Sequence, residues 1–84
     1  MMKTLRAFVE LENTTRSLFG WPELHLDSSE GRKEVASMLR ARLSPENLTC
    51  DGELRGPALR RRTRFLTNSQ SELFQLDPAL KNIS

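Results

Sequence analysis

GPALRRRTRFLTNSQSELFQL, residues 56–76, is the stretch on which the fold turns. At ~100° per residue, Ala58, Leu59, Phe65, Leu66, Leu73 and Leu76 fall within roughly 120° of arc, with Arg60, Arg61 and Arg64 on the opposite side. One flank is made for a core and the other for water or an anion. Gly56-Pro57 suits the entry, since proline at the first helical position gives up an N–H that has no partner within the helix. Asp77-Pro78 suits the exit, because proline disfavours α conformation in the residue before it.

The segments upstream read as two more helices. In TLRAFVELENTTRSLF, Leu5, Phe8, Val9, Thr15 and Phe19 share one helical face, and Gly20 ahead of Trp21-Pro22 is a stop signal. The same segment alternates at Leu5, Ala7, Val9 and Leu11, so an α+β fold with a short N-terminal hairpin is the competing expectation for residues 4–12. Asn13, Thr14 and Thr15 are poor interior helix residues and mark a place for a break. Trp21 is expected to plug the core where the first two helices meet. Asp27 with Glu30 reads as a capping pair for the second helix, whose inner face is Val35, Met38, Leu39 and Leu43 and which Ser44-Pro45 closes. Between Pro45 and Arg55 the Asp51-Gly52 turn signal sits in a tethered loop, and the tail after Asp77 adds one turn through Leu80 before fraying over about 81–84. The expectation is a single all-α domain of three helices, about 4–19, 28–43 and 57–76.

Each of the three helices aims one charge into its apolar arc: Glu12, Arg42 and Arg62. An isolated buried charge costs several kcal/mol, so an ion pair of Glu12 with Arg42, Arg62 or both is expected, unless the arginine stems simply extend to water. Phe74 lies outside the arc of the last helix. It suits either a contact with the tail at Leu80 or a homodimer seam along Leu59, Leu66 and Leu73.

With 84 residues, 37% of them hydrophobic and 29% charged, the chain has the composition of one small globular domain with a thin stability margin. The net charge of +2 is unevenly spread: Arg55, Arg60, Arg61, Arg62 and Arg64 cluster in a stretch with no acid, so the remainder is net negative. One cysteine, Cys50, and one histidine, His25, leave no basis for an intramolecular disulfide, a metal centre or a cofactor site, and the carboxylates show no catalytic pairing. No apolar run reaches the ~20 residues of a membrane span and no signal-peptide block opens the chain, which points to the cytoplasm.

These features predict a small non-enzymatic interaction module, an adaptor, regulator or inhibitor, that meets an acidic protein surface through Arg55, Arg60, Arg61 and Arg64. The alternative is a nucleic-acid-binding protein laying the same arginines on phosphates without reading bases, because the connection between the second and third helices is too long for a helix-turn-helix.

Overall fold

A computed structural model describes residues 3–49 and 56–82. Four α-helices follow in order, α1 (Lys3–Leu18), α2 (Ser29–Leu43), α3 (Pro45–Thr49) and α4 (Pro57–Leu76), and a 3-10 turn at Pro78–Asn82 ends the described chain. Both α1 and α2 pack mainly on α4, as does the terminal turn, and no strand occurs among the described residues. The fold is all-α.

The helical period, not the alternating one, decides α1. Leu5, Phe8 and Val9 are buried at the i, i+3, i+4 spacing, whereas Leu11, which a strand would have turned inward with them, is exposed. The competing N-terminal hairpin is therefore absent from residues 4–12, and the expected helix stands. There is no break at Asn13 either. Its side-chain carbonyl accepts from the Leu24 N–H (2.7 Å) and its amide donates to the Leu24 carbonyl (3.2 Å), so a residue poor for the helix clamps the next segment to it.

Gly20 adopts φ 70° and closes α1, with the Trp21 N–H bonding to the Arg16 carbonyl (2.8 Å) and the Gly20 N–H to that of Ser17 (3.2 Å). This left-handed turn satisfies carbonyls that the helix end would orphan. It also turns Trp21 away from the core, contrary to expectation. Trp21 is exposed and stacks on exposed Phe19 with ring centroids 4.9 Å apart, and the buried position is taken by Leu24.

Ser28, one residue after the expected Asp27, caps α2 by accepting from the Gly31 N–H (3.0 Å). Gly31 looks out of place in a first turn until its surroundings are seen: a Cβ there would run into the backbone carbonyl of His25. Val35, Ala36 and Leu39 form the buried face of α2, with Met38 and Leu43 packed at its edge. Ser44 ends the helix, but Pro45 does not open a loop. It begins α3, so the first five residues of the expected tether are helical, the proline occupying the position where its missing N–H costs nothing. The side chain of Asn47 ties α3 back to the Ala41 carbonyl. Cys50, the Asp51-Gly52 turn and Arg55 lie outside the described residues.

On α4 the buried line is Leu66, Ser69 and Leu73, with Ala58, Leu59 and Phe65 half-buried and Leu76, expected in the core arc, 39% exposed. Ser69 is fully buried in the middle of the apolar arc. Its hydroxyl bonds to the Phe65 carbonyl (2.8 Å) and faces the Thr4 carbonyl of α1 at 3.4 Å. A small side chain there permits close approach of α1, and its polar atom is satisfied. Leu80 in the terminal turn closes the core from below, held by Arg40 Nη2 on its carbonyl (2.9 Å), while Arg32 joins Asp77 (3.2 Å) and the Leu26 carbonyl (2.9 Å).

Candidate interaction surface

The core line of α4 leaves the other flank of the same helix facing outward. Arg60, Arg61 and Arg64 are exposed there, and none of their side chains makes an ion pair or hydrogen bond with a described residue. Two shallow grooves lie between them. One, of about 220 Å³, is lined by Pro57, Arg60, Arg61 and Arg64. The other, of about 410 Å³, runs past Leu59, Thr63 and Thr67 and is bordered by Arg60, Arg64 and Asn68. The Thr63 hydroxyl is turned back on the Leu59 carbonyl (2.9 Å), so its proton is used within the helix and the groove is more apolar than its composition suggests.

Electrostatics sharpen this arrangement. The first turn of α4 holds no acid, and Gly56 supplies no side-chain cap. Cations just after a helix start add to the positive end of the backbone dipole and cost a few tenths of a kcal/mol. An anion seated over Arg60 relieves that cost.

The other residues singled out from the sequence sit elsewhere. Arg42 Nη2 lies 2.8 and 3.0 Å from the two carboxylate oxygens of Glu12, joining α2 to α1. The Glu12 side chain is 13% exposed and that of Arg42 43%, so the pair straddles the surface. Arg62 is half-buried on α4 and is itself engaged. One turn from the Glu12 pair, Arg16 bonds Glu34 (3.0 Å) and the Pro22 carbonyl (3.0 Å), and the two pairings together show that α1 and α2 run antiparallel. Phe74 packs half-buried against the core, and Leu66 and Leu73 of the seven-residue repeat are buried within the chain. His25 is exposed.

The pattern of the sequence did not single out the outer face of α1. Leu11 and Leu18 are exposed there, and Phe19 and Trp21, which lie beyond the end of the helix, are exposed as well. The signal was present, since Leu11 and Leu18 lie one heptad apart and outside the Leu5, Phe8, Val9 stripe.

Among the described residues no group of three or more His, Cys, Asp or Glu is placed to hold a metal ion, and no helix is long and apolar enough to cross a membrane. Set against protein-family models, curated proteins and solved structures, the chain matches none of them.

Proposed function

We propose that this chain is a small non-enzymatic interaction module, acting in the cytoplasm as an adaptor, regulator or inhibitor, whose α4 flank docks on an acidic protein surface. The observation carrying this reading is the triplet Arg60, Arg61 and Arg64, exposed and unpaired among the described residues, on a helix whose opposite side is anchored by Leu66, Ser69 and Leu73. A rigid rod presents guanidinium groups with little further loss of backbone freedom on binding. The floor of Leu59, Thr63 and Thr67 beside Arg60 and Arg64 favours a protein segment over a phosphate backbone. Such a floor suits an apolar side chain flanked by carboxylates, whereas a sugar-phosphate strand offers it nothing apolar to bury.

The test is a fluorescence-anisotropy titration at ~50 mM salt, run in parallel with a Glu/Leu-rich peptide and with generic duplex DNA. The proposal expects the peptide to bind and the double variant Arg60→Glu/Arg64→Glu to lose that binding while keeping its helical circular dichroism. Preference for the duplex, with a steep fall on adding salt, would transfer the surface to nucleic acid.

A further inference from the structure

We infer that the α4 flank selects a phosphorylated protein segment, in which a phosphoserine or phosphothreonine sits among Arg60, Arg61 and Arg64 and an apolar side chain close by in the partner fills the neighbouring groove over Thr63 and Thr67. This rests on the reading of the flank as a protein-docking surface and names the chemistry that the surface recognises.

Arg60 and Arg64 stand one turn apart on the side of α4 opposite Leu66, Ser69 and Leu73. At ~100° per residue, Arg61 falls roughly 80° to one side of that row and Thr63 roughly 80° to the other. The two shallow grooves divide in the same way. The one of about 220 Å³ is lined by Pro57 and all three arginines, and the one of about 410 Å³ takes Leu59, Thr63 and Thr67 on the far side of Arg60 and Arg64. The arginine row is thus the wall between a cationic groove and a mostly apolar one.

The cationic groove holds more charge than one carboxylate answers. Arg64 is a surface neighbour of both Arg60 and Arg61, at i, i+4 and i, i+3, so the three repel. No acid lines their groove, and none of the three side chains is paired with a described residue. A carboxylate brings a single negative charge and two oxygens. A phosphate monoester brings about −1.5 to −2 at neutral pH with three acceptor oxygens, and the flat guanidinium fork matches those oxygens in pairs.

The apolar groove fixes what accompanies the phosphate. With the Thr63 proton already used on the Leu59 carbonyl, a leucine-sized side chain settles there without stranding a donor. Side-chain rows on a helix surface lie ~5–6 Å apart, while an extended segment advances ~3.3 Å per residue and turns alternate side chains to one face. The phosphoresidue and the apolar residue are therefore separated by one intervening position in the partner.

Fluorescence anisotropy on the full chain at ~150 mM salt, where remote charges are screened, tests this with labelled peptides of one frame. The reference holds phosphoserine, alanine and leucine in succession, made in both orders, and is compared with versions carrying glutamate for phosphoserine or serine for leucine. The reference, in its better-binding order, is expected to bind roughly tenfold tighter than either. Arg61→Gln alters an exposed side chain on the cationic side of the wall only. It is expected to cut the preference for phosphoserine over glutamate by roughly fivefold, with unchanged helical circular dichroism. A phosphoserine peptide no tighter than its glutamate counterpart overturns the inference and leaves the docking surface to carboxylates. Equal binding with and without leucine overturns it too, because the flank is then an anion site alone. Failure of every peptide, the glutamate one included, removes the docking reading along with it.

Discussion

Glu72 of α4 accepts a hydrogen bond from the backbone N–H of Leu5 at 3.1 Å, so the N-terminus of the first helix is capped by a side chain 67 positions away. The first turn of α1 contains no acid of its own. A carboxylate from α4 thus supplies both the acceptor that an opening helical turn lacks and the negative charge that its dipole favours. Glu72→Ala is expected to lower stability by about 1–2 kcal/mol, the range for losing a helix cap, and Glu72→Gln to lose less. Urea denaturation of the three proteins checks this, and an unchanged midpoint for Glu72→Ala would show the bond to be incidental.

The Glu12–Arg42 pair invites a double-mutant cycle. Because Arg42 is nearly half in solvent, the coupling expected is that of a partly screened pair, about 0.5–1 kcal/mol. Glu12→Ala alone should cost somewhat more, since the arginine stem loses its anchor across α1 and α2. A coupling indistinguishable from zero would mean that the two side chains reach water independently.

Two glycines separate backbone strain from steric collision. At Gly20 a Cβ would meet nothing within 4 Å, so Gly20→Ala pays only for the left-handed conformation, about 1 kcal/mol. At Gly31 the obstacle is the His25 carbonyl, which is backbone and cannot swing aside. Gly31→Ala should therefore cost more, about 1–3 kcal/mol as for overpacking, and the ordering of the two is the sharper forecast. Thermal melts resolve it, at roughly 4–8 °C per kcal/mol in a domain of this size.

Reversing charge on the α4 flank should leave folding intact. Arg60→Glu replaces an exposed cation near the start of α4 with an anion that the dipole prefers, and Arg64→Glu changes an exposed side chain further along the helix, so stability is expected to stay within ~0.5 kcal/mol or, for Arg60→Glu, rise slightly. A loss above ~1 kcal/mol in a melt would assign these arginines a structural role and remove the main support for the docking surface.

How much was legible in the residues differs from segment to segment. The centre of each core line, Val35 and Leu39 on α2 and Leu66 and Leu73 on α4, follows from apolar spacing, whereas the expected ends Ala58, Leu59 and Leu76 are not buried and buried Ala36 and Ser69 were not in the apolar arcs. The glycine stop at Gly20 was equally plain. Five-residue α3 was not, since one helical turn carries too little periodicity to stand out from a Pro- and Asn-containing connector. The arginine flank was visible as composition and phase, whereas the groove beside it was not, because Thr63 reads as polar until its hydroxyl is seen on the Leu59 carbonyl.

Local order thus determined by itself that α2 and α4 are helical, which side of each is apolar, and that cations gather in the first half of α4, while it left residues 4–12 open between helix and strand. The tertiary structure alone decided which residues substitute for one another in space: Leu24 for Trp21 in the core, Ser69 for a larger side chain at the α1 contact, Glu72 for a local cap. Spacing along a chain reports the phase of a side chain around its own axis. Whether that direction meets a neighbouring helix, a backbone carbonyl or water depends on where the other elements come to rest, and for Leu11, Leu18, Phe19 and Trp21 none of the described elements covers them.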